Sequence, residues 1–128
     1  MKKRTIFLIS VLFALFMNGC KYDFIIPVTV PPVDNGGNPV SFSTQIATIF
    51  STANKCIACH KPGGESPDLT ATAAYSQITS KYVDAGTPEN SKIYSIPSPT
   101  TSAHSWKKYT AGEAALVLAW IREGAKNN

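Results

Sequence analysis

The chain has 128 residues, with twelve lysines and arginines against eight aspartates and glutamates and a formal net charge of +4. Three of the basic residues, Lys2, Lys3 and Arg4, stand at the start; without them the balance is nine to eight, a net charge of +1. No basic run remains that could track a nucleic-acid backbone, so nucleic acid is excluded as a partner.

The basic start leads into an apolar stretch from Ile6 to Met17. At about twelve residues it falls short of the ~20 that a membrane-spanning helix needs. A basic start, a short apolar run and small residues before a processing point form the pattern of a secretory signal peptide, here residues 1–19. A retained N-terminal anchor is the other reading of the same stretch. The run ends in Met17-Asn18-Gly19-Cys20, which resembles a bacterial lipoprotein processing box. Cys20 would then begin the mature chain as a lipidated residue, tethered to a membrane surface without a transmembrane helix. Otherwise Cys20 is an ordinary thiol beside a standard cleavage site. The expected location is the bacterial cell envelope, lipid-anchored on the periplasmic side or at the outer membrane.

Residues 20–41 read as a tether. Pro27, Pro31, Pro32 and Pro39 remove backbone donors, and Gly36-Gly37 adds freedom. An edge strand at Phe24–Val30 is the alternative. Residues 42–128 form the expected domain, small enough to gain from a covalent staple. A first helix is predicted over Ser43–Thr52, with Ser43 as cap and Ile46, Ile49 and Phe50 at helical spacing.

Then comes Cys56-Ile57-Ala58-Cys59-His60. This C-x-x-C-H spacing is the pattern of covalent haem attachment. On a helical turn residues i, i+3 and i+4 share a face. Two thioether bonds can therefore form at one edge of the porphyrin while His60 reaches the iron from one side. A redox disulfide or a zinc site are the competing uses of such cysteines. The first wants a β-α-β context, absent here; the second needs a fourth ligand, for which only His104 is available.

Further helices are predicted around Thr70–Ser80 and from Pro88, with Thr87 as cap. The loop Pro97–Trp106 carries His104, the only histidine besides His60. The last helix is marked most clearly. Thr110-Ala111-Gly112-Glu113 reads as a capping box, Ala114–Ile121 as a strongly apolar run, and Gly124 as the stop. Strand signal is slight. The expected fold is all-α, three to four helices around one covalent haem, with long loops.

The stretch from Phe42 to the C-terminus resembles the class I cytochrome c family, and more closely its small monohaem lipoprotein members. The residues that carry the resemblance are CIACH, PGGESPDL, YVDAGTPENSKIYSI, VLAWI and the closing EGAKNN. It implies that the Pro67 carbonyl accepts a hydrogen bond from the ligating His60, that Leu69 packs on the haem, and that the last helix crosses the first through an aromatic. Two departures stand out. Phe50 lies six residues before Cys56, where the family spaces its aromatic four before; two extra residues at Thr52–Asn54 would account for this. The family's sixth iron ligand is a Met in the loop before the last helix, but this sequence has only Met1 and Met17.

His104 falls about where the family keeps that Met, so bis-histidine ligation by His60 and His104 is expected. The alternative is an exposed His104 with the iron five-coordinate or bound by water, Lys107 or Lys108. Trp106 and Tyr109 are expected to wall the haem pocket. These features point to an electron carrier rather than an enzyme: one covalent haem c, a redox partner protein in the cell envelope, and membrane attachment through Cys20. A haem-based ligand sensor or a peroxidase-like enzyme with a displaceable distal ligand is the other function these residues could serve.

Overall fold

The computed structural model describes residues 33–104, 106 and 108–128. The expected signal peptide, Cys20, the possible strand at 24–30 and Lys107 lie outside the described residues. The fold is all-α: the described residues hold four α-helices and no strand. No helix among them is long and apolar enough to cross a membrane.

The first helix begins earlier than its apolar spacing predicts. A wide first stretch, Phe42–Ile46, runs directly into α1, Ala47–Ser51. Ser41, not Ser43, is the cap, its hydroxyl accepting from the Thr44 N–H at 3.3 Å. The shift has a cause at the other end of the chain. Phe42 N–H donates to Asn128 Oδ1 and Ser43 N–H to the Asn128 carbonyl, each at 2.9 Å. The last residue thus satisfies donors that an isolated helix start leaves open.

The same closure moves the domain boundary. The sequence places a tether up to residue 41, yet Val40 is buried and Val33 packs partly against the core. Val40 N–H donates to Glu123 Oε2 at 2.7 Å, and Gln45 Nε2 donates to Asn35 Oδ1 at 3.0 Å. Gly36 and Gly37, with φ of 61° and 76°, fold the segment into a turn held by the Asn35 side chain. Packing against the core therefore reaches back to Val33, the first described residue.

Helix α2, Ala74–Lys81, is entered through a turn that begins at Thr70. A single tight turn, Pro88–Asn90, precedes α3, Lys92–Ser95. Thr87 stands at the turn's N-cap position, as expected, but makes no side-chain cap bond. Its hydroxyl donates instead to Asp84 Oδ2 at 2.6 Å, and that bond, with the Thr87 and Gly86 N–H groups, holds the Asp84 carboxyl below its ordinary value. Helix α4, Ala111–Arg122, follows its sequence closely. Glu113 N–H donates to Thr110 Oγ1 at 3.2 Å, Thr110 N–H donates to Glu113 Oε2 at 2.6 Å, and Gly124 at φ +93° ends the helix.

The core forms where α4 meets the first helix. Phe42, Ile46 and Phe50 point inward from one side and Val117, Trp120 and Ile121 from the other, all buried. Phe42 and Trp120 rings lie 5.4 Å apart, and Tyr75 meets Phe42 edge-on at 5.1 Å. The tail is pinned to the same cluster. Trp120 Nε1 donates to the Lys126 carbonyl at 2.9 Å, and the Tyr75 hydroxyl donates to the Ala125 carbonyl at 3.1 Å.

Candidate functional site

The path from Phe50 to Cys56 explains the extra residues at Thr52–Asn54. Ala53 and Asn54 take left-handed φ of 51° and 52°, and the three residues bulge into solvent. The chain then folds back. Cys56 and Ile57 N–H groups both donate to the Phe50 carbonyl, at 3.0 and 3.3 Å, so Phe50 stays in the core despite its spacing.

Cys56 to His60 form one helical turn: His60 N–H donates to the Cys56 carbonyl at 2.9 Å and Cys59 N–H at 3.1 Å. Behind it the backbone returns so closely that a Cβ at Gly64 would collide with the Cys59 carbonyl oxygen. Glu65 N–H donates to that same oxygen, and Leu69 N–H to the His60 carbonyl. The turn is thus fixed by backbone on both sides.

This turn borders a cavity of about 350 Å³, within the size range of ligand pockets. Cys56, Cys59, His60, Pro67, Leu69 and His104 all line it. These are the cofactor residues read from the sequence, and the fold gathers all six around one space. Leu69 and Pro67 are buried and Cys59 is exposed at the edge. Ile93, Ile96 and Tyr109 line it as well. Sequence reading missed the two isoleucines, whose spacing across α3 was the available sign.

The two imidazoles face each other. Their ring centroids are 6.2 Å apart and their planes 26° from parallel. A histidine nitrogen sits about 2 Å from the metal it binds, so imidazoles on opposite sides of one ion have centroids roughly 6 Å apart. His60 Nδ1 lies 3.1 Å from the Pro67 carbonyl oxygen. A carbonyl only accepts, so Nδ1 carries the proton, and in the neutral ring that leaves Nε2 its lone pair, the tautomer a metal ligand needs. His104 Nδ1 is buried and has no hydrogen-bond partner. An apolar space, two cysteines on one turn and two facing imidazoles fit a haem attached through thioether bonds. They fit tetrahedral zinc poorly, because no three His, Cys, Asp or Glu side chains gather as a chelating cluster among the described residues.

The expected walls of the pocket divide. Tyr109 is fully buried, whereas Trp106 touches the cavity but is 66% exposed. Lys108, an alternative ligand by sequence, donates its Nζ to the Thr101 carbonyl across the loop.

One ion pair joins the motif to α4. Lys55, just before Cys56, donates to Glu113 Oε2, the oxygen that also caps α4. Burial disfavours the Glu113 charge, but Lys55 and the Thr110 N–H and hydroxyl outweigh it and hold the carboxyl below its ordinary value of 4.5. A depressed carboxyl adds stability above its unfolded value, and that stability fades as pH falls through the folded value. Thermal melts should therefore lose stability as pH drops below 4.5, and Glu113→Gln should start lower at neutral pH and flatten that acid limb. An unchanged limb would mean the pair contributes nothing. Sequence reading found Glu113 as a cap only, since its partner lies 58 residues away.

Comparison of the chain with family models, with curated proteins and with solved structures finds no match.

Proposed function

We propose that this protein is a monohaem c-type cytochrome, tethered to a membrane through Cys20, that carries single electrons. The observation that carries this reading is the His60–His104 pair, 6.2 Å apart across a cavity edged by Cys56 and Cys59. The resemblance to the class I cytochrome c family adds to it. The His60–Pro67 hydrogen bond, Leu69 at the cavity wall and a last helix that meets the first through an aromatic, here Trp120 against Phe42, agree with what that resemblance implies.

A haem in this place would supply reversible one-electron iron chemistry. The chain's own residues do the rest. Cys56 and Cys59 would each add S–H across a vinyl double bond, which fixes one edge of the group. His60 is oriented by the Pro67 carbonyl, and His104 approaches from the opposite side. Held by both His60 and His104, the group would leave no open position for a substrate, which favours a carrier over an enzyme. Leu69, Ile93 and Tyr109 exclude water from the interior. Two imidazoles would also set a lower potential than a His/Met pair, because thioether ligation raises it.

Protein made in cells with a haem-maturation system should keep its haem through acid–acetone extraction and a denaturing gel. Its ferric form should give a low-spin signal in low-temperature electron paramagnetic resonance. Haem lost on extraction would remove the covalent reading. Mass spectrometry of the mature N-terminus should find an acylated Cys20; a free thiol there, or cleavage elsewhere, would remove the tether.

A further inference from the structure

Pro97 creates a local problem that Tyr109 resolves. The Ile93 carbonyl stands in α3, and its helical donor would be the N–H of residue 97. Proline has none. The Tyr109 hydroxyl donates to the Ile93 carbonyl instead, at 2.9 Å and buried. The Tyr109 N–H donates to the carbonyl of Pro97 itself, also at 2.9 Å. One residue therefore closes both ends of the 97–109 loop, with its hydroxyl and its backbone.

His104 sits inside this loop. The loop is braced further within. Thr101 N–H donates to the Ser98 carbonyl at 3.2 Å, Ala103 N–H to Thr101 Oγ1 at 3.0 Å, and Lys108 Nζ reaches the Thr101 carbonyl. The His104 Nδ1, by contrast, makes no hydrogen bond. Nothing polar on the ring aims it at His60, so its position is inherited from the loop, and the loop's position from its neck.

We infer that Tyr109 is the positioning residue for the distal ligand: its clamp on Ile93 and Pro97 holds His104 over the cavity and sets how often that side opens. The inference rests on the haem reading above. It gives Tyr109 a role in ligand exchange that burial alone does not require.

The test is Tyr109→Phe in the haem-loaded full chain, with azide binding to the ferric protein followed by stopped flow beside thermal melts. The phenyl ring keeps the packing and loses one hydrogen bond. His104 should remain bound at rest, while azide should bind roughly five- to tenfold faster, the factor one buried hydrogen bond implies. Lys108→Met breaks the brace across the loop without touching the core, and should speed azide binding by a smaller factor. If Tyr109→Phe lowers the melting temperature but leaves the azide rate unchanged, Tyr109 is packing only and the inference fails. Should Tyr109→Phe not fold, an unchanged rate in Lys108→Met overturns it equally. Azide binding to the unaltered protein as fast as to a His104→Ala variant would instead remove His104 as the ligand, and with it the reading beneath.

Discussion

Replacing His104 with alanine should turn the ferric haem-loaded protein from low spin to high spin. Cyanide, azide and, in the reduced form, carbon monoxide should then bind without waiting for an imidazole to leave. If that imidazole is off the iron only about one per cent of the time, the apparent affinity for an added ligand should rise about a hundredfold. The geometry gives the reason. His104 faces His60 at 6.2 Å across the cavity, and no other histidine exists in the chain. Its buried Nδ1 has no hydrogen-bond partner, and an unsatisfied buried polar group costs about 1–3 kcal/mol. Under the proposed haem reading, iron ligation by the same ring would offset that cost. His104→Met should keep the iron six-coordinate and raise its potential, since thioether sulfur favours the reduced state. A His104→Ala protein with unchanged spectrum and potential would make His104 a bystander. Lys107, Lys108 or water would then become the ligands to test.

What could be read from the sequence depended on how local its cause was. Cys56, Cys59 and His60 were legible because one helical turn fixes their geometry, and the fold keeps that turn. The capping box at Thr110 and Glu113 was legible for the same reason. His104 was read from the place where the resemblance puts a Met ligand, in a chain with no methionine beyond Met17 and no histidine besides His60. The start of the first helix was not legible, because Asn128, 86 residues away, bonds the Phe42 N–H. The packed segment around Val40 was hidden likewise. Pro39 and Gly36-Gly37 describe a linker in isolation, and only the Glu123 carboxylate turns them into a docked turn. The neck of the His104 loop depends on a missing donor at Pro97 meeting a hydroxyl twelve residues later. Proline announces the break in α3 but not its repair.

Trp120→Ala should be the most damaging single change to the fold, and it tests the architecture without reference to any cofactor. Trp120 is fully buried, packs its ring 5.4 Å from Phe42 and holds the tail through its bond to the Lys126 carbonyl. Truncation would leave a large cavity where α4 crosses the first helix and free the segment that Ala125 and Lys126 anchor. Removing a buried tryptophan costs about 3–5 kcal/mol, against a total stability of about 5–15 kcal/mol for a domain of this kind. With a urea slope of about 1–3 kcal/mol per molar, the unfolding midpoint should fall by roughly 2 M. Trp120→Phe should lose less, because the ring that meets Phe42 remains and only the indole N–H bond goes. The effect should reach the site as well. Val117 and Trp120 lie on the helix whose first turn, through Glu113, holds Lys55 beside Cys56. A loosened α4 should therefore lower the yield of haem-loaded protein along with the midpoint. If Trp120→Ala melts within about 1 kcal/mol of the unaltered protein, α4 does not cross the first helix through this residue, and the core described here is wrong.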